Sequence, residues 1–365
     1  MARTPVTKAE ARLMADNLCG AFIGAGAQKV ETDILLPAEV LLDLYGEDIR
    51  ARAYVTGDPS RGEMMLRPDF TVPVVQRHMA GPGGVARYTY AGEVFRKQEA
   101  HPERAVEYLQ AGFELFGMED AAAADAEVFA RFADLLAPYD LRATTGDIGI
   151  LVAAVKGLRT TERRRAALLR HIWRPRRFRA LMTRFSAAGD EMRAQNLARC
   201  EANLAADPAP FVGLRTPSEI EARIAALKED AAEPPISDGE IALLDDILSL
   251  KETMPHVLSA LRDIAVDLPS IAPAVTRLAA RGDAMADRGL DVDNLEFEAA
   301  HGRTSMEYYD GFVFGFTAAR RSDLPPVATG GRYDALTAVL GQGHGVPAVG
   351  GVIRPGVLCQ VGRDA

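Results

Sequence analysis

The chain has 365 residues, 48% of them hydrophobic and 25% charged, which suits a folded protein larger than one small domain. A net charge of -9 leaves no basic footprint for broad nucleic-acid binding. Cys19, Cys200 and Cys359 stand far apart, with no CxxC pair and no disulfide ladder, so a reducing, cytoplasmic setting is expected.

The first stretch, MARTPVTKAEARLMADNLCG, has helical amphipathic spacing and lacks the unbroken apolar core of a signal peptide. No run approaches the ~18 apolar residues of a membrane span, so no membrane association is expected. Residues 7–25 read as a helix, followed by extended KVETDILLP and a short helix, AEVLLDLYG. RAYV and EMMLRP read as strands leading into a helix near Asp69. Two long strand candidates follow, VARYTYAGEVFRKQ and VEYLQAGFELFG, joined by the polar loop EAHPERA. An Ala-rich, acidic helix is expected over 121–138.

From about 150 to 290 helical patterns dominate, among them TERRRAALLRHIW, PSEIEARIAALKED and SIAPAVTRLAARGDAMADRGL. Strands return with VDNLEFEAA, with the stretch from Arg303 to Ala319, and with PPVATGG. A helix, RYDALTAVLG, and a strand, PAVGGVIRP, close the chain. The strands of both ends are expected to form one mostly antiparallel sheet flanked by helices. That is an α+β fold with a core at 1–150 and 290–365 and a helical insertion at 151–289.

Strand alternation sorts the side chains into faces. Leu109, Ala111, Phe113 and Leu115 make an apolar face, while Tyr108, Gln110, Gly112, Glu114 and Phe116 share the other. Gly92 shares a face with Tyr88, Tyr90 and Arg96. In the stretch after Arg303, Phe312, Phe314 and Phe316 face one way, and Tyr309, Gly311, Val313 and Gly315 the other. Glycine inside a strand weakens it and marks close approach of another group, so these faces are expected to leave room for a ligand. The plainer reading of Gln110 and Glu114 is a solvent-facing sheet surface.

RPDFTVP, YAGEVFRKQ, LQAGFELFG, EYYDGFVF and TGGRYDALTAVLG…PAVGG occur in this order and together resemble histidyl-tRNA synthetase. The resemblance covers its class II catalytic core, and ETDILLP is similar to the dimer-forming motif 1, which implies a homodimer. It also implies a histidine site. Asp69, Thr71 and Gln110 stand where that family holds the ligand amine. Glu114 matches the carboxylate that accepts the imidazole N–H, and Tyr309, beside Tyr308, matches a tyrosine that contacts the ring. Arg96 matches the motif 2 arginine. The chemistry agrees: an ammonium needs acceptors and an imidazole needs a carboxylate and a hydroxyl.

The catalytic pattern is broken at several places. Thr304 stands where the synthetase has the arginine that stabilises the reacting carboxylate and phosphate, and Arg303 is one residue out of register. Val357 replaces the motif 3 arginine, Arg354 replaces a glycine, and Gln98 and Glu99 follow motif 2 in place of an acid and an arginine. The chain also ends at Ala365, where the synthetase continues into an anticodon-binding domain. These departures resemble the synthetase's non-catalytic paralogue, the regulatory subunits of ATP phosphoribosyltransferase. That resemblance implies no catalytic residues, no cofactor, L-histidine as feedback ligand, and a short-form catalytic subunit as partner. Loop 98–105, which joins two pocket strands, is expected to order over the ligand.

Other readings are a truncated synthetase-like enzyme that activates an amino acid with ATP, and a tRNA-binding module. The acidic charge argues against tRNA. The arginine-rich stretch 163–184 reads as a salt-bridged helical pair or as a docking face. The six histidines lack zinc-ligand spacing, so no metal is expected. GQGHGVPAVGG lacks the strand–loop–helix context of a phosphate loop and reads as a tight turn.

Overall fold

A computed structural model of the chain describes residues 5–39, 53–98, 103–206, 214–303 and 308–364. Its centre is a nine-stranded sheet in the order β1 (Gln28–Lys29), β5 (Ala86–Phe95), β6 (Glu107–Phe116), β12 (Ala348–Ile353), β11 (Ala328–Arg332), β10 (Phe312–Ala318), β7 (Leu141–Asp147), β9 (Glu296–Glu298), β8 (Lys251–Thr253). The pairs β1–β5 and β7–β9 are parallel and the other neighbours antiparallel. A separate three-stranded sheet joins β2 (Leu35–Pro37), β4 (Gly62–Leu66) and β3 (Val55–Asp58).

Helices α1 (Lys8–Gly24) and α3 (Ala121–Leu136) contribute to the apolar core of this sheet. Phe22 of α1 meets Phe113 at 5.3 Å, and Phe132 and Phe129 of α3 meet Phe314 and Phe316 at 5.2 and 5.5 Å. The alternation of β6 and β10 therefore decides the layer: Phe113 of β6 and the phenylalanines of β10 bury against α1 and α3, while Gln110 and Glu114 turn to the opposite face, where Phe116 packs beside Tyr333. Helix α2 (Thr71–Met79) follows directly on the RPDF turn.

The middle of the chain forms α4 (Ile148–Gly157), α5 (Glu162–Arg170), α6 (Pro175–Phe185), α7 (Asp190–Ala206), α8 (Pro217–Ala232), α9 (Asp238–Ser249), α10 (Met254–Asp267) and α11 (Ala272–Ala286). Helices α8 and α9 start on capping boxes, Thr216 with Glu219 and Ser237 with Glu240, which satisfy the orphan N–H groups of the first turn. The chain closes with α12 (Asp334–Leu340) and α13 (Pro355–Asp364).

Several elements differ from the sequence reading. Strand β7, whose LRATTGD lacks a clear apolar alternation, forms because it pairs with β10 along its whole length. The short β8 arises inside the helical stretch and completes a sheet edge beside β9. Helix α13 was absent from the reading, while α4 and α10 fall in the stretch read as helical without a segment named for either. The stretch from Arg303 is not one long strand: regular pairing begins at Phe312, and Tyr308 and Tyr309 lie in the segment before it. The helix expected at AEVLLDLYG falls mostly on residues 40–52, outside the described residues, as do Thr304 and residues 99–102 of the loop between β5 and β6.

Candidate functional site

Glu114 lies at the middle of the polar face of the sheet, on β6 opposite Tyr88 of β5 and Gly350 of β12. Its side chain is 1% exposed. One carboxylate oxygen accepts hydrogen bonds from the Tyr90 hydroxyl at 2.8 Å and from Thr71 Oγ1 at 3.2 Å. The other accepts a short bond from the Tyr333 hydroxyl at 2.5 Å. Tyr308 donates to Thr71 Oγ1 at 3.3 Å, so a relay of hydroxyls runs from Tyr308 through Thr71 to the carboxylate. Burial raises the Glu114 carboxyl to about 7, against the pull of its hydroxyl donors and with a further push from the nearby Asp69. Burial beside Glu114 also raises the Tyr90, Tyr309 and Tyr333 phenols.

Asp69 is buried at the entry to α2, where a carboxylate oxygen faces the Val72 N–H at 3.5 Å. Arg96 approaches it at 3.9 Å while donating to the Pro68 carbonyl at 2.6 Å. Tyr309 packs edge-on against Tyr308, with centroids 4.8 Å apart. Gln110 lies two strand positions from Gly112, on the same face as Glu114, and is 1% exposed. Both polar atoms of its carboxamide are buried without a hydrogen-bond partner among the described residues. The expected site residues thus fall into a hydroxyl–carboxylate group (Thr71, Glu114, Tyr308), an adjoining ion pair (Asp69, Arg96), Tyr309 against Tyr308, and Gln110, which bonds to none of them.

The glycines of this face do not open empty space, as the sequence suggested; each lies under a side chain of the protein itself. A side chain at Gly112 would collide with the Tyr90 ring, and one at Gly350 with the Glu114 carboxylate. At Gly92 a Cβ would come within 2.7 Å of Arg67 and 3.0 Å of Phe70. At Gly331 it would lie 2.8 Å from Tyr309, and at Gly315 3.0 Å from His301. Glycine here lets Glu114, Tyr90 and Tyr309 lie flat on the sheet, so the site is lined by chemistry rather than by backbone.

Tyr90 and Tyr333 complete the carboxylate's donors and were not singled out from the sequence. Tyr90 had a usable signal, since it pairs with Gly112 and shares the face of Gly92. Tyr333 follows the GGR of β11 and reaches Glu114 across 219 residues of chain, a relation that local pattern does not carry.

The cations near the site are held by the protein. Arg67 donates to the carbonyls of Glu93 and Thr32, both at 2.7 Å, and Arg354 donates to the Pro326 carbonyl at 2.5 Å. Arg303 turns away into the helical region, donating to the Ile172 carbonyl at 2.7 Å and lying 5.0 Å over the Phe178 ring. Among the described residues no group of three or more metal-ligating side chains converges, and no helix is long and apolar enough to cross a membrane.

The sequence matches the family model described as histidyl-tRNA synthetase over residues 3–205 and 221–356. It is 33% identical over 357 residues to the ATP phosphoribosyltransferase regulatory subunit of Rhizobium etli, covering 91% of this chain and 93% of that one. To the protein of the same name from Brucella anthropi it is 31% identical over 346 residues, covering 89% and 90%. Among solved structures, an ATP phosphoribosyltransferase regulatory subunit/histidyl-tRNA synthetase from Bacillus halodurans superposes with a TM-score of 0.67 at 18% identity, covering 99% of this chain and 81% of that one. The histidyl-tRNA synthetase of Nostoc sp. PCC 7120 gives 0.64 at 16% identity, covering 100% and 74%, and these two likenesses speak to the fold.

Proposed function

The chain belongs to the family of ATP phosphoribosyltransferase regulatory subunits, built on the class II histidyl-tRNA synthetase fold, and on that premise we propose that its Glu114 pocket binds L-histidine as a feedback signal. A regulatory role in histidine biosynthesis follows from the family; the ligand, the inhibition and the activation of a short-form catalytic subunit are our reading.

One observation carries it. Gln110 keeps both a donor and an acceptor buried and unpaired on the same strand face as a carboxylate held by hydroxyls. Leaving buried polar atoms unmade costs roughly 1–3 kcal/mol each, so a ligand that meets them gains that much. A free amino acid supplies both needs, with an ammonium for the amide oxygen and for Asp69, and a carboxylate for the amide nitrogen and for Arg96. Its imidazole N–H then meets Glu114. An aliphatic amino acid would leave that buried carboxylate without its ligand partner, which is how the pocket discriminates.

Adenylation is disfavoured on the same grounds. A triphosphate needs cations free to receive it. Arg67 and Arg354 are spent on backbone carbonyls, Arg303 points into the helices, and Val357 packs against the core. Reconstitution tests the reading. The purified chain should release heat with L-histidine in calorimetry, activate a short phosphoribosyltransferase that is inactive alone, and make that activity histidine-sensitive. Histidine-dependent pyrophosphate exchange by the chain alone would overturn it in favour of an amino-acid-activating enzyme.

A further inference from the structure

We propose that Arg281, on α11 and outside the pocket, is a positioning residue for the Glu114 site. It anchors Asp125, Asp125 anchors Arg332, and Arg332 sets the two chain segments that carry Tyr333 and Tyr309. The proposal rests on the reading of that site as an amino-acid pocket.

The contacts form a continuous buried chain. Arg281 is 4% exposed and donates from Nε to Asp125 at 2.9 Å and from Nη2 to Asp147 at 2.7 Å. Its guanidinium carbon lies 4.6 Å over the Phe312 ring, at the start of β10. The other oxygen of Asp125 receives Nε and Nη2 of Arg332 at 3.0 and 2.7 Å. Arg332 also donates to the Ala121 carbonyl at 3.1 Å and to Asp334 at 3.0 Å.

Arg332 is where the support meets the pocket. The next residue, Tyr333, donates to Glu114. The Arg332 carbonyl accepts the Asp310 N–H at 3.0 Å, and Asp310 directly follows Tyr309. Asp310 in turn accepts the N–H groups of Asp334 at 3.2 Å and Ala335 at 2.6 Å. The segments 309–310 and 332–335 are thus strapped to each other, and both pocket tyrosines hang from that strap. Gly311 lies against the Arg332 stem, where a Cβ would come within 3.2 Å. Any shift of the Arg332 side chain is passed to the residues on either side of it.

The placement of the charges argues for registry rather than for glue. A buried ion pair adds little net stability over apolar packing, but it enforces one geometry, because losing a partner strands a charge. Asp125, Asp147 and Arg332 stand on core elements, whereas Arg281 comes from the helices between residues 151 and 289. A displacement of α11 would release Asp125, loosen Arg332 and change the fit of Tyr333 on Glu114. Histidine occupancy and the position of α11 are then linked, and the linkage works in both directions.

Arg281→Met in the full chain tests this by histidine calorimetry well below the unfolding temperature. We expect affinity to fall by roughly tenfold, within the usual span of coupling between sites. Arg281→Lys should recover part of it, since an ammonium can reach one aspartate but not fork between two. A lower unfolding temperature with unchanged histidine affinity would make Arg281 structural only and overturn the proposal. If Arg281→Met does not fold, Arg281→Met with Asp147→Asn removes the pair without stranding a charge and is read in the same way.

If the wild-type chain gives no heat with histidine, the functional reading falls, and the coupling is read instead from the infrared titration of the Glu114 carboxyl, assigned with Glu114→Gln. That carboxyl is faced by Tyr90, Tyr309, Tyr333 and Asp69, with Arg96 beyond Asp69. Loosening Tyr333 removes a donor that holds the carboxyl down, so its titration should move to higher pH in Arg281→Met. An unmoved titration would overturn the proposal.

Discussion

Arg164 and Gln110 are equally buried, at 1% exposure each, and the protein treats them in opposite ways. Arg164, in the helical region, has all its nitrogens engaged. Nε donates to the Asp230 carboxylate at 2.7 Å, Nη1 to the Pro234 carbonyl at 2.7 Å, and Nη2 to the carbonyls of Asp230 and Glu233 at 2.6 and 3.3 Å. Gln110, on the sheet face, has neither amide atom engaged. A buried polar group that is fully answered by its own chain is a device of the fold. One left unanswered on the sheet face of Glu114 keeps a donor and an acceptor to spare.

The sharpest way to test that contrast is to remove the answered group. Arg164→Met should strand Asp230 and cost about 3 kcal/mol of stability, at the low end for a broken buried pair because Arg184 remains 3.8 Å from Asp230. Chemical denaturation would show this, while histidine affinity stays unchanged. An equal loss of affinity would mean that the helical pair also supports the pocket.

Glu114→Gln should do the reverse. It should weaken histidine binding by ~1–3 kcal/mol in calorimetry with little loss of fold. Unchanged affinity would move the ligand away from Glu114.

The same residue carries a pH signature. Its carboxyl titrates near 7 in the folded chain against an ordinary 4.5, so the folded state holds the proton more tightly. The stability it contributes is present below the unfolded value and is lost as pH rises to about 7. Denaturant midpoints of the ligand-free wild type should therefore fall relative to Glu114→Gln across that window, and parallel curves would contradict the burial argument.

The smallest effect is expected at Gln110. Gln110→Met removes two unanswered polar atoms at similar volume, so the ligand-free chain should become more stable by about 1 kcal/mol while histidine binding weakens. A destabilised Gln110→Met would mean that the amide is satisfied in solution and that the contrast with Arg164 is false.

Much of the site was legible because strand alternation is local. Gln110, Gly112 and Glu114 had to share a face, and the phenylalanines of β10 had to share the other layer. The glycines were misread for the same reason: the pattern shows that something approaches closely, but only the fold shows that Tyr90, Glu114 and Tyr309 of the chain itself do so. Strand β7 was missed because its stability comes from pairing with β10 rather than from its own pattern.

The sequence by itself determined the order of motifs, the apolar and polar faces of the long strands, and which polar residue types share the face of Glu114. These depend on periodicity and side-chain chemistry, which are properties of short segments. Tertiary structure alone decided which hydroxyls reach Glu114, that the nearby cations are occupied, and that Arg281 of the helical region bonds to Asp125 and Asp147 of the core. Those contacts join residues far apart in the chain, and burial and charge pairing act through space, where sequence distance has no meaning.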